Sequence, residues 1–231
     1  MKKLVIVLSV LLVLILIGFH FADLNPTITS TSSFEIKGID ISHHNHHKSN
    51  INWNSVSNQV GFCIIKATDG LNFKDPLFNS NWKSSKRNGL VRGAYHFFKP
   101  GVSGKKQFDN FKNTVKLGSG DLPPILDVEL KECDINEVKI FLELAEKHFG
   151  VTPIIYTEHF FFKMFLDGEI DTKYPLWIYV DESFLVKPSF NNYCCVLWQY
   201  SHTGNISGIE GNVDLDCFMG DSLSFESLKI K

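Results

Sequence analysis

Apolar positions along this chain fall into two kinds of run. From residue 4 to 22 they are almost wholly Leu, Val and Ile, with Ser9 and His20 the only polar residues. After residue 34 they come as short β-like runs at 38–42, 62–68, 91–98, 124–129, 152–157, 176–180, 196–201 and 213–218. Helical spacing separates several of these runs. Residues 75–88 open with Asp-Pro, a helix start. Residues 103–117 place Phe108, Phe111 and Val115 on one face. Residues 134–149 do the same with Ile135, Val138, Phe141, Leu142 and Ala145, and Gly150 is the stop. Helical segments thin out after about residue 170. Strand and helix in alternation predict a mainly parallel sheet with right-handed crossovers. Eight strands in the remaining length predict an α/β fold, a compact and partly degenerate β/α barrel preceded by an N-terminal hydrophobic helix.

The first run is long enough, at about 1.5 Å per residue, to cross a bilayer core of about 30 Å. Lys2 and Lys3 before it would stay cytoplasmic and send the rest of the chain outward. Residues 1–22 thus read as an uncleaved signal-anchor, in the membrane through residues 4–22, or as a cleaved signal peptide. Cleavage after Ala22 would set His20 where a small residue is preferred. Residues 23–33 are polar and read as a linker. From 34 to 231 no second linker, repeat or charge block occurs, so one catalytic-size domain and a monomer are expected. It would work in the cell envelope, anchored or secreted.

Composition narrows the function. With 44% hydrophobic and 21% charged residues the chain is not disordered. Net charge is −2, and −4 without the two lysines of the first segment, which argues against nucleic acid as a partner and against bulk attraction to anionic walls. Twenty Phe predict a core of large rings. The five cysteines are odd in number and show no metal-ligand spacing. An exported domain could oxidise one pair; Cys63 reads as a core residue. His43, His44, His46 and His47 could take up a transition metal weakly, but no helix or strand fixes their spacing, so they read as a solvated loop. No metal and no cofactor are expected.

The chemistry lies in acids at strand ends. In 123–129, PPILDVE, alternation puts Ile125, Asp127 and Glu129 on one face and Leu126 and Val128 on the other. Two carboxylates on one buried face cannot both ionise cheaply, so one should keep its proton. A protonated acid beside an ionised one is what glycosidic cleavage uses. A pair of solvated acids at a strand end is the alternative. Two more strands repeat the pattern: Ile39 and Ile41 oppose Asp40 and Ser42, and Val213 and Leu215 oppose Asp214 and Asp216. If these strands share one barrel, Asp40, Asp127, Glu129 and Asp214 converge at its mouth.

The ordered set Lys37-Gly38-Ile39-Asp40-Ile41-Ser42, Ile51-Asn52-Trp53, residues 62–70 (FCIIKATDG), Arg92-Gly93-Ala94-Tyr95-His96-Phe97-Phe98, Pro124-Ile125-Leu126-Asp127-Val128-Glu129, Trp198-Gln199-Tyr200-Ser201 and Gly211-Asn212-Val213-Asp214-Leu215 resembles the glycoside hydrolase family 25 lysozymes, the Chalaropsis-type muramidases. The resemblance runs from about residue 37 to 218. It implies a modified barrel with five β/α units and three further strands. It also implies hydrolysis of the β-1,4 bond between N-acetylmuramic acid and N-acetylglucosamine, with peptidoglycan glycan strands as partner. On this resemblance Glu129 is the general acid and then base, Asp127 its neighbour, and Asp40 and Asp214 the other two acids. Asp69 stands where the family usually has Glu and is left outside the catalytic set. The loop 43–50 is longer than usual and could reshape the rim.

Flat rings and hydrogen bonds should line the sugar groove. Tyr95, Tyr156, Trp177 and Trp198 lie at or near strand ends and are the expected substrate-binding rings. Lys66 either pairs with an active-site carboxylate or forms a structural ion pair. His96 faces opposite to Tyr95 and reads as structural. The mechanism is open between an Asp nucleophile and attack by the substrate's own acetamido oxygen. Two rival functions remain: a non-catalytic, membrane-tethered peptidoglycan-binding module, and a metal-dependent hydrolase using the His-rich loop.

Overall fold

The computed structural model of the chain describes residues 31–231, apart from 47–49, 185–187, 189 and 191. The apolar segment 1–22 and most of the linker lie outside the described residues, as does His47. Among the described residues no helix is long and apolar enough to cross a membrane.

Eight strands close a barrel: β1 (Lys37–Ile41), β2 (Phe62–Asp69), β4 (Val91–Phe97), β5 (Ile125–Asp127), β6 (Ile154–Glu158), β7 (Leu176–Tyr179), β8 (Cys195–Gly204) and β9 (Val213–Phe218). A short β3 (Phe73–Lys74) hangs on the end of β2. Strands β1, β2, β4, β5, β6, β7 and β8 run parallel in that order, and antiparallel β9 closes the circle between β8 and β1. The helices α1 (Trp53–Ser57), α2 (Phe78–Arg87), α3 (Gly104–Thr114), α4 (Ile135–Phe149) and α5 (His159–Phe161, continued as a π-turn to Leu166) follow β1, β2/β3, β4, β5 and β6. Among the described residues no α-helix separates β7, β8 and β9, so the architecture is the expected five β/α units plus three strands.

Alternation sorts the side chains. Ile39, Ile41, Cys63, Ile65, Leu126, Val128 and Val213 face outward into the core between barrel and helices. The buried stripe of α4 is Val138, Phe141, Leu142 and Ala145, the i, i+3, i+4, i+7 pattern. Asp134 caps this helix by accepting the N–H of Asn136, and Gly150 ends it at φ 70°. Phe141 stacks on His96 at 5.0 Å and meets Phe98, Phe108 and Phe111, a cluster that uses the Phe-rich composition. His96 is buried, 2.7 Å from Thr68 Oγ1 and 3.1 Å from Gln107 Oε1; burial lowers its pKa to about 4, so it is a neutral structural group.

Three of the boundaries that differ from the pattern-based expectation have a physical reason. Helix α2 starts at Phe78 rather than Asp75, because the Asp75 carboxylate is occupied by the backbone N–H groups of His43 and Leu77. Helix α3 ends at Thr114, leaving Val115 buried in extended backbone. Strand β5 stops at Asp127, so Glu129 lies beyond the ladder. No disulfide forms among the described residues, and Cys63 is a core residue.

Inside the barrel, a lower layer of Phe62, Ile64, Ile125, Ile154, Leu197 and Phe218 is buried and apolar. Helix α6 (Ser222–Leu228) plugs that end, with Phe225 5.7 Å from Phe62 and 5.0 Å from Phe218. Gly38 is dictated by close approach, since a Cβ there would lie 2.2 Å from the Phe62 ring. The polar residues of the interior are thereby confined to the opposite mouth.

Candidate active site

The carboxyl ends of the parallel strands open at that mouth. Pairing of β1 with β9 sets Asp40 opposite Asp214 and Gly38 opposite Asp216, so Asp40 sits among the acids of its neighbour. Gln199 of β8 donates from Nε2 to Asp40 Oδ2 at 2.5 Å and accepts the Tyr156 hydroxyl proton at 2.6 Å. The indole N–H of Trp177 donates to Asp216 Oδ1 at 2.8 Å, Asp216 Oδ2 has no hydrogen-bond partner among the described residues, and the charge of Asp216 acts on Asp40. Both carboxyl groups are buried: Asp40 is 6% exposed and Asp216 fully covered. Desolvation holds Asp40 well above the usual carboxylate range, with the charges of Asp216 and Asp214 adding to it and the Gln199 bond opposing. Asp216 is raised chiefly by burial.

Asp127, 5% exposed, ends β5 beneath the opening. Burial, then the charge of Glu129, pushes its pKa well above the usual range, while Lys66 opposes. Its Oδ1 has no hydrogen-bond partner among the described residues. Glu129 stands exposed at the rim. The protein around it removes enough water to raise its pKa; Glu158 adds to the rise, and His202, Lys66 and Lys99 oppose it. The sequence pattern called for one raised acid; both rise, the covered one further.

Across the mouth, His202 Nδ1 lies 3.1 Å from Asp214 Oδ1, and its ring is 3.8 Å from that of Tyr179. The hydrogen bond to Asp214 raises the His202 pKa against the effect of partial burial. Tyr156 packs 4.4 Å from Trp177, and Tyr95 meets Trp177 edge-on at 6.4 Å. The structure therefore gathers Asp40, Asp127, Glu129, Asp214, Tyr95, Tyr156 and Trp177 at one end of the barrel.

The aromatic residues divide in a way the sequence did not anticipate. Trp177 is 1% and Tyr156 7% exposed, so both serve the acids from below instead of offering a free ring face. Trp198 is a correction: it lies on the outer face of β8, fully buried, edge-on to Phe34 at 6.1 Å with its N–H donated to the Val180 carbonyl. Alternation puts Gln199, not Trp198, into the barrel. Lys66 points into the mouth and pairs with Asp69 at 3.1 Å, which Lys99 approaches at 3.6 Å. In the His-rich loop, His43 Nδ1 lies 2.8 Å from Asp75 Oδ2, an ion-pair geometry that ties the loop to the rim. Among the described residues no group of three or more His, Cys, Asp or Glu is gathered around a common point for a metal ion.

Asp216, Gln199, His202 and Tyr179 are site residues that the motif reading did not single out. Asp216 was within reach, two positions after Asp214 on the same face. Gln199 follows from the same alternation. His202 does not, because β8 loses register beyond Gln199.

This constellation, acids at the carboxyl mouth of an eight-stranded barrel with a single antiparallel closing strand, defines a carboxylate-based hydrolase site. The profile of Glycosyl hydrolases family 25 matches residues 39–209, and the chain belongs to that family. It is 36% identical to YegX of Escherichia coli K12 over 216 residues, 87% of this chain and 77% of that protein. To Lysozyme M1 of Streptomyces globisporus it is 29% identical over 216 residues, 85% of this chain and 72% of that one. Among solved structures, a family 25 glycosyl hydrolase from Bacillus anthracis superposes with a TM-score of 0.77 at 28% identity, covering 87% of this chain and 97% of that one.

Proposed function

We propose that this protein is a lysozyme, an N-acetylmuramidase that hydrolyses the β-1,4 bond between N-acetylmuramic acid and N-acetylglucosamine in peptidoglycan. The observation that carries the reading is the pairing of an accessible acid of raised pKa, Glu129, with the covered Asp127 below it, whose pKa burial raises further. Glu129 is the only member of this pair that a glycosidic oxygen can reach. A sugar seated over it removes more water and raises its pKa further, which is the state a general acid needs.

In this reading Glu129 gives its proton to the leaving oxygen as the glycosidic bond breaks. The nucleophile is the acetamido oxygen of the substrate, which closes on the anomeric carbon. Water then opens the resulting ring while Glu129 takes back a proton, and the configuration is retained. Substrate assistance is one recognised exception to the two-carboxylate scheme. It is favoured here because each candidate enzyme nucleophile is engaged: Asp40 accepts from Gln199, and Asp214 is held by His202. Asp127, with one oxygen unpartnered, is placed to orient the acetamide. Tyr95 and Tyr179 supply the half-exposed rings of the groove. Lys66, held by Asp69, keeps a positive charge near the acids.

Residues 1–22 we read as the export segment, retained as an anchor or removed as a leader, with 23–33 as spacer and 34–231 as a monomeric catalytic unit in the cell envelope. Mass spectrometry of muropeptides released from purified walls tests the activity. Reducing ends at muramic acid are expected; glucosamine ends or 1,6-anhydro products contradict the assignment.

A further inference from the structure

Beside the mouth, between the loops that follow β6 and β7, lies a cavity of about 170 Å³. Phe160, Phe184, Tyr179 and Pro188 contribute apolar walls, and Glu158 and Asp181 are its acids. Phe160 and Phe184 are 63% and 62% exposed, whereas the rings of the core are covered almost completely. Two large rings left in water beside one cavity contribute little to folding and form a surface suited to a ligand.

Two residues link the cavity to the mouth. Tyr179 lines it and also stacks on His202, the partner of Asp214. Glu158 lines it and also acts on Glu129 through its charge. The lining is overwhelmingly apolar, and its charged side chains are the carboxylates of Glu158 and Asp181. Hydrogen bonds from the hydroxyl and backbone N–H of Ser183 keep Asp181 below the usual carboxylate range. Burial and the charge of Lys163 lower the pKa of His159, the one imidazole of the lining.

Peptidoglycan sugars carry no positive charge. The peptide stem on the muramic acid does, at the free amine of its diamino acid, and it also carries alanine methyls. We propose that this cavity receives the peptide stem of the muramic acid bound in the mouth, aliphatic part against Phe160 and Phe184 and ammonium toward Glu158 and Asp181. The proposal rests on the muramidase reading and adds the stem as a recognised part of the substrate.

The test pairs binding with turnover, using the full-length chain and a Phe160→Ala/Phe184→Ala variant, whose exposed rings can be lost without opening the core. The soluble tetrapeptide L-Ala-γ-D-Glu-L-Lys-D-Ala is titrated into each by NMR. Hydrolysis is measured on stem-bearing glycan and on the same glycan stripped by an amidase. The tetrapeptide should bind the wild type and bind the variant at least about tenfold more weakly, a change of about 1.4 kcal/mol. The wild type should favour stem-bearing glycan, and the variant should lose that preference while retaining its rate on stripped glycan. Equal tetrapeptide binding by both proteins, or none by either, overturns the proposal. So does displacement of the peptide by chitotetraose, which would make the cavity a sugar site. Peptide binding that depends on the two rings, with cleavage of neither glycan, leaves the cavity assignment standing and removes the muramidase reading.

Discussion

Trp177 and Asp216 are joined by a 2.8 Å hydrogen bond between two fully buried side chains on β7 and β9. The indole fixes the carboxyl whose charge acts on Asp40. Replacing Trp177 by Phe keeps the ring and removes only the donor, leaving a buried carboxyl oxygen unpaired. That loss should cost about 1–3 kcal/mol of stability, read as a drop in Tm of about 2–4 °C per kcal/mol at this chain length. Hydrolysis should fall as well, because the charge that acts on Asp40 is no longer held in place. An unchanged Tm and rate would mean that the network does not support the site.

The Asp40–Asp216 pair makes stability depend on pH in a definite direction. Both acids have pKa values raised by burial above the ordinary 3.8. A folded-state pKa above the unfolded one means that the native protein holds the proton more tightly. The stabilisation is complete below about 3.8 and is lost as pH rises through the folded values. Asp216→Asn still accepts the Trp177 N–H and has no proton to lose. Its Tm should gain on that of the wild type as pH rises from 4 to 8. Parallel curves would contradict the raised pKa of Asp216.

His202 links the far side of the mouth to the acid. Glu129 is faced by His202, Lys66 and Lys99, which lower its pKa, and by Glu158, which raises it. Activity that needs protonated Glu129 is lost as pH rises through its pKa. Removing His202 should therefore move the alkaline limb of kcat/KM to higher pH, and loosening of Asp214 should lower the plateau. His202→Gln, which can still bond Asp214 but carries no charge, should shift the limb while restoring part of the plateau. A limb that stays in place for both variants would separate His202 from the acid.

Far from the mouth, Arg92 makes a bidentate pair with Asp121 at 2.7 and 3.0 Å and lies 3.9 Å from the Trp82 ring centre. Both side chains of the ion pair are buried. Asp121→Ala leaves an uncompensated cation and should cost about 3–5 kcal/mol, visible in thermal denaturation, with the active site chemically intact. A loss under 1 kcal/mol would show that water reaches the guanidinium.

The alternation of apolar and acidic residues sufficed to place Asp40, Asp127 and Asp214 inside the barrel, because each lies within a regular strand whose outward neighbours are Ile, Leu or Val. The same rule applied to β8 would have given Gln199; attention to the rings gave Trp198 instead, and burial behind Phe34 shows why an aromatic at a strand end is not thereby a groove residue. Glu129 was legible through its motif, although its exposure comes from the chain leaving the ladder after Asp127. His202 follows a register shift, and the Asp40–Asp216 contact is a pairing between distant strands. Neither is encoded in local periodicity.

Glu129→Gln on purified peptidoglycan is the most direct measurement. The change keeps size and polarity and removes the proton that can be donated. With unchanged Tm and circular dichroism, the release of muramic acid reducing ends should fall by about 10²–10⁴-fold. Hydrolysis at the wild-type rate by that variant would contradict the assignment of Glu129 as the acid, and with it the account of the mouth.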